Sequence, residues 1–566
     1  MAIDEGRDEV ETSTHEPPAR TRNAPSLRTV ILASSAGTAF EWYDFFVYGS
    51  LTSIISKRFF GQLDETTGTL AALALFAAGL FFRPVGALIF GRLGDRFGRK
   101  GAFLATVIIM GGATFLIGLL PDNAYVGGAS TLALIVLRIL QGMAVGGEYG
   151  GAAIYVAEHA PSNRRGAITG WIQSSAAYGL VGALGLVLAT RSIIGEAAMA
   201  DWGWRVPFLA SAVLLAISIW MRLKLDESPE FVRMKAEGKI SRAPYAEAFL
   251  RWSNLKYVLI ATGSLFLSQG PIWYCIFFYS QIFLESFAKT PGIWSNSIMI
   301  GVTLASIPLY VFFAWLSDKV GRKPVLLFGM GLAVIAMFPA FHAFAGGANG
   351  ALFAAQKAAP VEVVADPKTC SFQFDLLGRN KYISGCDIAR FTLTKAGVSY
   401  VSKAAAPDAA ATVRVGDISL EAKTATGLSG AALAAHTADI DKRLKAVLAA
   451  SGYPVSADPA QFDWPMIIAG FAVLVIAATA LYGPMAAALV ELFPTSVRYT
   501  ALSVPYHLGI GVVGGLMPMM AFAIATATGN IFAGLWYPVG FGAIATVCCL
   551  VFFPETRGRE LKQQSS

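Results

Sequence analysis

Apolar stretches long enough to cross a lipid bilayer recur along almost the whole chain, and this constrains its fold more than any other feature. They lie near residues 30–56, 68–91, 101–120, 130–157, 166–190 and 205–223, and a second set follows near 257–286, 293–316, 324–345, 465–489, 500–527 and 533–553. A hydrocarbon core of roughly 30 Å takes about 20 apolar residues of helix to cross. Helix is the expected form because lipid offers no water to an unpaired backbone N–H or C=O. Composition agrees: 55% of residues are hydrophobic and 14% charged, against roughly 25% charged in soluble domains. The sequence therefore predicts an all-α membrane protein with twelve transmembrane helices in two pseudo-symmetric six-helix bundles.

Basic residues mark alternate connections: Arg92, Arg96, Arg99 and Lys100, then Arg164 and Arg165, then Arg233, Lys235, Lys239, Arg242 and Arg251. Lys319, Arg322 and Lys323, then Arg498, then Arg557, Arg559 and Lys562 continue the alternation. By the positive-inside rule these connections are cytoplasmic. The expected organisation is a disordered cytoplasmic tail (1–29), an N-terminal bundle (30–223), a cytoplasmic central loop (224–256), helices 7–9 of the C-terminal bundle (257–345), an external insertion (346–463), helices 10–12 (464–553) and a cytoplasmic tail (554–566). A bacterial inner-membrane location with both termini inside follows. The net charge of +7 lies in these loop clusters, so nucleic acid is not an expected partner; the lipid bilayer is.

Short patterns occur once in each half, as in transporter folds built from duplicated bundles. Gly94-Asp95-Arg96-Phe97-Gly98-Arg99-Lys100 returns as Ser317-Asp318-Lys319-Val320-Gly321-Arg322-Lys323. Glu158, Pro161 and Arg165 return with the same internal spacing as Glu491, Pro494 and Arg498. The register slips between the ninth and tenth spans, at segment 346–463, which alternates in short stretches such as Val361 to Val364 and Thr412 to Leu420 and turns helix-like from Gly430 to Ala450. A small α+β domain inserted in an external loop is expected there. Cys370 and Cys386 both fall in it, on the side where disulfides persist, and are expected to pair. No nearby His has ligand spacing, so neither a metal nor another cofactor is expected. The insertion can also take a periplasmic partner.

The chain resembles the major facilitator superfamily, and within it the metabolite:proton symporters that include carriers similar to 2-oxoglutarate, shikimate and proline/betaine permeases. The resemblance rests on Glu41-Trp42-Tyr43-Asp44-Phe45, on Arg83-Pro84-Val85-Gly86 leading into Gly91 to Lys100, on Arg138-Ile139-Leu140-Gln141-Gly142, on Gly147-Glu148-Tyr149-Gly150-Gly151 and on Trp202-Gly203-Trp204-Arg205-Val206-Pro207-Phe208. It covers the chain apart from the N-terminal tail and the insertion. It implies a secondary carrier that imports a small polar metabolite with protons. The fifth span lacks the Gly-Pro pair of many drug antiporters, and no phosphate-binding Gly-x-x-x-x-Gly-Lys-Ser/Thr sequence points to ATP.

Ionisable groups inside a span cost about 3 kcal/mol each on insertion scales, so they are functional candidates by default. Glu41, Asp44 and Tyr48 share one helical face, as do Arg138, Gln141, Val145 and Glu148. Asp44 with Arg138 is the expected coupling pair, with Glu148 and Glu41 as further proton sites; a static ion pair between the helices is the plainer reading. Arg83 either binds an anionic substrate or reaches the surface with its head group. Tyr48, Gln141, Gln173, Tyr178, Gln269, Trp273 and Tyr274 are candidate substrate contacts, each also explicable as packing. His507 is a further titratable group in the eleventh span. Gly91, Asp95, Gly98, Arg99, Lys100, Glu158, Arg165, Asp318, Gly321, Arg322, Lys323, Glu491 and Arg498 are the expected cytoplasmic gate, with topology alone as the alternative role for the basic residues. An organic carboxylate is the favoured substrate; a betaine or amino-acid zwitterion, a nutrient sensor on a transporter fold, and a membrane enzyme are the alternatives.

Overall fold

The computed structural model describes residues 27–63, 65–97, 99–147, 149–223, 244–371, 382–494 and 498–559. The expectations for residues 1–26, Gly98, Glu148, most of the central loop and residues 560–566 fall outside these residues, as do those for the side chains of Asp95, Arg99 and Lys100. The N-terminal half contains α1 (Leu27–Ser50), α2 (Glu65–Phe81), α3 (Arg83–Phe97), α4 (Arg99–Leu119), α5 (Gly128–Gly146), α6 (Tyr149–His159), α7 (Ser162–Gly203) and α8 (Arg205–Leu223). The C-terminal half contains α9 (Trp252–Ser286), α10 (Gly292–Val320) and α11 (Arg322–Ala348). Among the described residues, eight helices are long and apolar enough to cross a membrane, and three shorter apolar helices accompany them.

Helix approach in the N-terminal half is set by glycine. A Cβ on Gly142 would lie 1.9 Å from the Gly79 carbonyl oxygen, and one on Gly146 would lie 2.0 Å from that of Arg83. From the other side, a Cβ on Gly86 would lie 1.8 Å from the Met143 carbonyl oxygen. The paired span α2–α3 thus rests on α5 backbone to backbone, the close approach that small residues permit where lipid gives no hydrophobic drive for association. Gly142→Val has nowhere to put its side chain, so it is expected to abolish recovery of monodisperse protein in detergent size-exclusion chromatography, with Gly142→Ala giving a reduced yield.

Between α11 and α15 (Trp464–Leu492) the chain leaves the helical bundle. It forms α12 (Gly350–Ala358), β1 (Val361–Ala365), α13 (Gly385–Lys395), β2 (Val401–Ala404), β3 (Ala411–Val415), β4 (Ile418–Ala422) and α14 (Gly430–Ala450). The sheet order is β2-β1-β3-β4, with β1 parallel to β2 and the other pairs antiparallel. The stretch 412–420, read as one alternating run, is a hairpin, because Gly416 takes a φ of 55° and turns the chain back. Buried Val361, Val363, Val413, Leu393 and Leu444 form a core of its own, and Cys370 and Cys386 are bonded at its edge with their Cα atoms 5.3 Å apart.

The insertion docks on the C-terminal half through backbone groups. Tyr400 N–H donates to the Gly529 carbonyl at 3.0 Å and Ala457 N–H to the Lys289 carbonyl at 2.9 Å. A Cβ on Gly397 would sit 2.7 Å from the Ser286 carbonyl oxygen. Burial in this seam, together with the charge of Lys445, pushes the Lys289 amine down to about 8 from 10.5. A lysine whose pKa is depressed on folding weakens the fold while charged, and that cost fades as pH rises through the folded towards the unfolded value. Lys289→Met is therefore expected to melt above the wild type at pH 7, with the gap shrinking as the pH approaches about 10.

After α15 the chain closes with α16 (Arg498–Ala525) and α17 (Ala533–Phe552). Two π-helical turns interrupt α9, at Thr262–Phe266 and Cys275–Tyr279, and one interrupts α16 at Leu508–Gly514. The regular segment between the two π-turns of α9 packs on the π-turn of α16, where Gly270 and Gly514 touch, and π-turns of this kind are frequent at functional sites.

Candidate functional site

Two guanidinium groups lie at the centre of the N-terminal half. Arg83 opens α3 and is 1% exposed; Arg138, in α5, is fully buried. The alternative in which Arg83 reaches the surface does not hold here. Aromatic rings surround both groups: Arg83 Cζ is 4.7 Å from the Phe45 ring centre and 5.3 Å from Trp42, and Arg138 Cζ is 4.1 Å from Tyr48 and 5.1 Å from Phe45. Ring faces attract cations, but they do not saturate N–H donors. Nε and Nη2 of both arginines have no hydrogen-bond partner.

Arg138 does not form an ion pair with Asp44. Its Nη1–H donates to Gln141 Oε1 at 2.9 Å, and Gln141 Nε2–H donates to Thr114 Oγ at 2.7 Å. The Thr114 hydroxyl has one proton, which it can turn to the Met110 carbonyl at 2.9 Å or to the neighbouring Asp44 carboxylate. Arg138 and Asp44 are therefore linked through two uncharged side chains. The spacing on α1 and α5 placed both on inward faces, but it held no information on the interposed Thr114 of α4. Asp44 is 5% exposed and its Oδ1 has no partner.

A narrow cavity opens between the halves beside Arg83, lined by Thr38, Glu41, Trp42, Phe45, Arg83, Val145, Tyr506 and His507. The Tyr274 hydroxyl faces Arg83 without forming a hydrogen bond to it, and Tyr48 donates to the Ala72 carbonyl at 3.1 Å. Trp273 stacks on Phe46 at 5.9 Å and donates its indole N–H to the Tyr310 hydroxyl at 2.8 Å. Gln269 is buried with its Oε1 lacking a partner. Gln173 instead donates to the Tyr482 carbonyl at 2.8 Å, tying the two halves together. Tyr178 is 38% exposed; it shares a helical stripe with exposed Trp171 and with Gly185, which faces open space, so it turns away from this site. Aromaticity singled it out, but the period of α7 carries it to the outer face. Phe45, Thr114 and Tyr310 were missed because an isolated Phe, Thr or Tyr in an apolar span carries no signal of its own.

At the helix ends around Asp318 a second cluster joins the halves. The Asp318 carboxylate accepts from the Gly166 and Ala167 N–H groups at 2.9 and 2.8 Å, the unpaired donors at the start of a helix whose dipole favours an anion. Arg322 bonds Asp318 at 2.7 Å and both Glu491 oxygens at 3.1 Å, and Arg165 reaches Glu491 at 2.9 Å. Arg498 pairs with Glu158 at 3.2 Å, and the Tyr499 hydroxyl donates to the Gly147 carbonyl. Gly321 takes a φ of 111° to start α11, whose Arg322 and Lys323 N–H groups are capped by Glu555. The Glu491 side chain is fully buried between two arginines, so Glu491→Gln takes the counter-charge from Arg165 and leaves Arg322 with Asp318 alone. Removing one partner of a buried pair costs about 3–5 kcal/mol, and this variant is expected to show a marked fall in thermal midpoint that Glu491→Asp only partly reproduces.

The sequence model described as "Sugar (and other) transporter" matches residues 29–248 and 234–361. The shikimate transporter of Escherichia coli K12 is 37% identical over 323 residues, covering 56% of this chain and 72% of the relative. The proline/betaine transporter of the same strain is 33% identical over 343 residues, covering 58% and 67%. In fold the chain is similar to the proton:xylose symporter XylE, with a TM-score of 0.61 at 16% identity, covering 95% of this chain and 98% of that one. The mostly helical architecture and these matches lead to one conclusion: the chain belongs to the sugar (and other) transporter family and is an integral membrane transporter, not an enzyme.

Proposed function

We propose that this transporter imports a small organic carboxylate together with protons across a bacterial inner membrane, by alternating access between two six-helix bundles. The observation that carries the reading is the pair of buried arginines whose Nε and Nη2 donors lack partners. A desolvated cation without a counter-charge is costly, and a carboxylate can accept two N–H bonds from one guanidinium. Substrate binding would thus relieve a cost already present in the empty site. Asp44 and Glu41 are the proposed proton carriers, with Arg138 sensing Asp44 through Gln141 and Thr114. Glu148 remains a proposed proton site from sequence alone. The cytoplasmic cluster centred on Glu491 and Asp318 is proposed as the latch of the inward-closed state. Twelve crossings, cytoplasmic termini and an external insertion complete the topology.

The aromatic shell of Trp42, Phe45, Phe46, Tyr48, Phe76 and Trp273 supports a second reading, a quaternary-ammonium zwitterion held by cation-π contact. Uptake of radiolabelled shikimate, 2-oxoglutarate, proline and glycine betaine into energised vesicles, with and without a protonophore, separates the two. Accumulation of an organic acid that the protonophore abolishes is expected. Asp44→Asn should keep exchange while losing accumulation, and Arg83→Lys or Arg138→Lys should lower kcat/KM by more than tenfold, since a lysine cannot reproduce a bidentate contact. Preference for glycine betaine would favour the zwitterion reading; binding without accumulation or exchange would favour a sensor.

A further inference from the structure

His507 is the one imidazole in this cavity. It lies on α16, two residues after Pro505 and directly before the π-turn that begins at Leu508. It is fully buried, and neither of its ring nitrogens has a hydrogen-bond partner in good geometry. Tyr506 meets it edge-on at 5.0 Å. A histidine kept only for packing would settle a buried N–H on an acceptor, yet this one lines the cavity together with Arg83 and Glu41. The titratable or charged groups facing it are Glu41 from α1 and Arg83 from α3, with Tyr506 on its own helix; α5 presents the Gly146 carbonyl. Arginine and carboxylate belong to the N-terminal half, and the imidazole is the answering group of the C-terminal half.

We propose that His507 is a substrate-positioning and proton-holding residue: neutral in the empty cavity, it takes a proton from external water on a ring nitrogen, and the imidazolium joins Arg83 in holding the substrate carboxylate across the two halves. The step makes one N–H bond, and the same proton leaves to cytoplasmic water when the inner side opens and the carboxylate departs. This rests on the carboxylate:proton reading above and adds to it a group that closes the site from the opposite half. Unpaired, two cations near Arg83 would repel each other; with the anion between them, both are satisfied. Proton and substrate therefore bind cooperatively, each favouring the other by the same factor.

The experiment uses the full chain, wild type and His507→Gln, purified and in proteoliposomes. Trp42 lines the same cavity, and imidazolium quenches a neighbouring indole, so the Trp42 emission, isolated by subtracting Trp42→Phe, reports protonation apart from transport. In the empty wild type it is expected to stay flat between about pH 5 and 8, and to titrate in that range once shikimate is present; His507→Gln is expected to stay flat in both states. With an imposed pH gradient and radiolabelled shikimate as probe, His507→Gln should raise KM at least tenfold and lose the pH dependence of KM that wild type shows, while accumulation falls by at least tenfold. A Trp42 titration unchanged in His507→Gln, or wild-type accumulation by that variant, overturns the proposal. If wild type shows no gradient-driven uptake, the symport reading fails by itself, and the emission titration still decides whether His507 takes up a proton.

Discussion

The organising constraint of this protein is that charge brought into a lipid-embedded interior must be answered. At the helix ends around Asp318 the answer is complete: Asp318, Glu491, Arg165 and Arg322 satisfy one another and the free N–H groups of a helix start. At the centre it is incomplete, because Arg83 and Arg138 have ring faces around them and donors without acceptors. The two clusters illustrate opposite uses of the same residue type. A closed network fixes one arrangement of two halves, whereas an open one leaves a place that a mobile anion can fill. The glycine contacts that bring α2 and α3 onto α5 hold the open cluster in register, since no side chains intervene to give way.

Much of this was legible in the sequence because membrane helices write their boundaries in hydropathy. The duplicated Asp-Arg-Lys loop and the Glu-Pro-Arg spacing pointed directly to Asp318, Arg322, Glu158, Glu491, Arg165 and Arg498, which the structure gathers at one end of the bundle. Helical periodicity placed Asp44 and Arg138 on inward faces. It did not show that Thr114 and Gln141 stand between them, because which third helix enters a gap is a tertiary fact. The same limit explains Tyr178: an aromatic residue has no preferred side of a helix exposed to lipid. His507 was visible as a titratable group in an apolar span, but its position opposite Arg83 depends on how α16 bends at Pro505 and Leu508, and no local pattern encodes that.

The insertion obeys different rules from the bundle around it. Its strands alternate, its helices carry charge, and its core is small enough that the Cys370–Cys386 bond is a substantial part of its cohesion; closing a loop of about 15 residues is worth roughly 3 kcal/mol in the chain-entropy picture. Its docking contacts run to Lys289, Ser286 and Gly529, all in the C-terminal half. It is held there by hydrogen bonds of backbone groups and of the Ser399 and Ser456 hydroxyls and by close van der Waals contact, with Lys289 and Lys445 adding charge to the seam.

The helices on either side of the insertion, α11 and α15, pack along each other, and the chain leaves and re-enters the bundle almost at one point: the Asp463 N–H donates to the Gly347 carbonyl at 2.9 Å. An excursion whose two ends meet is topologically a pendant. The fold beneath it needs no part of it to connect α11 to α15, so a duplicated-bundle carrier could gain or shed such a pendant in a single genetic step without rerouting a helix. That separability lets the helical part read as an ordinary member of its family while the insertion is built from a different kind of architecture.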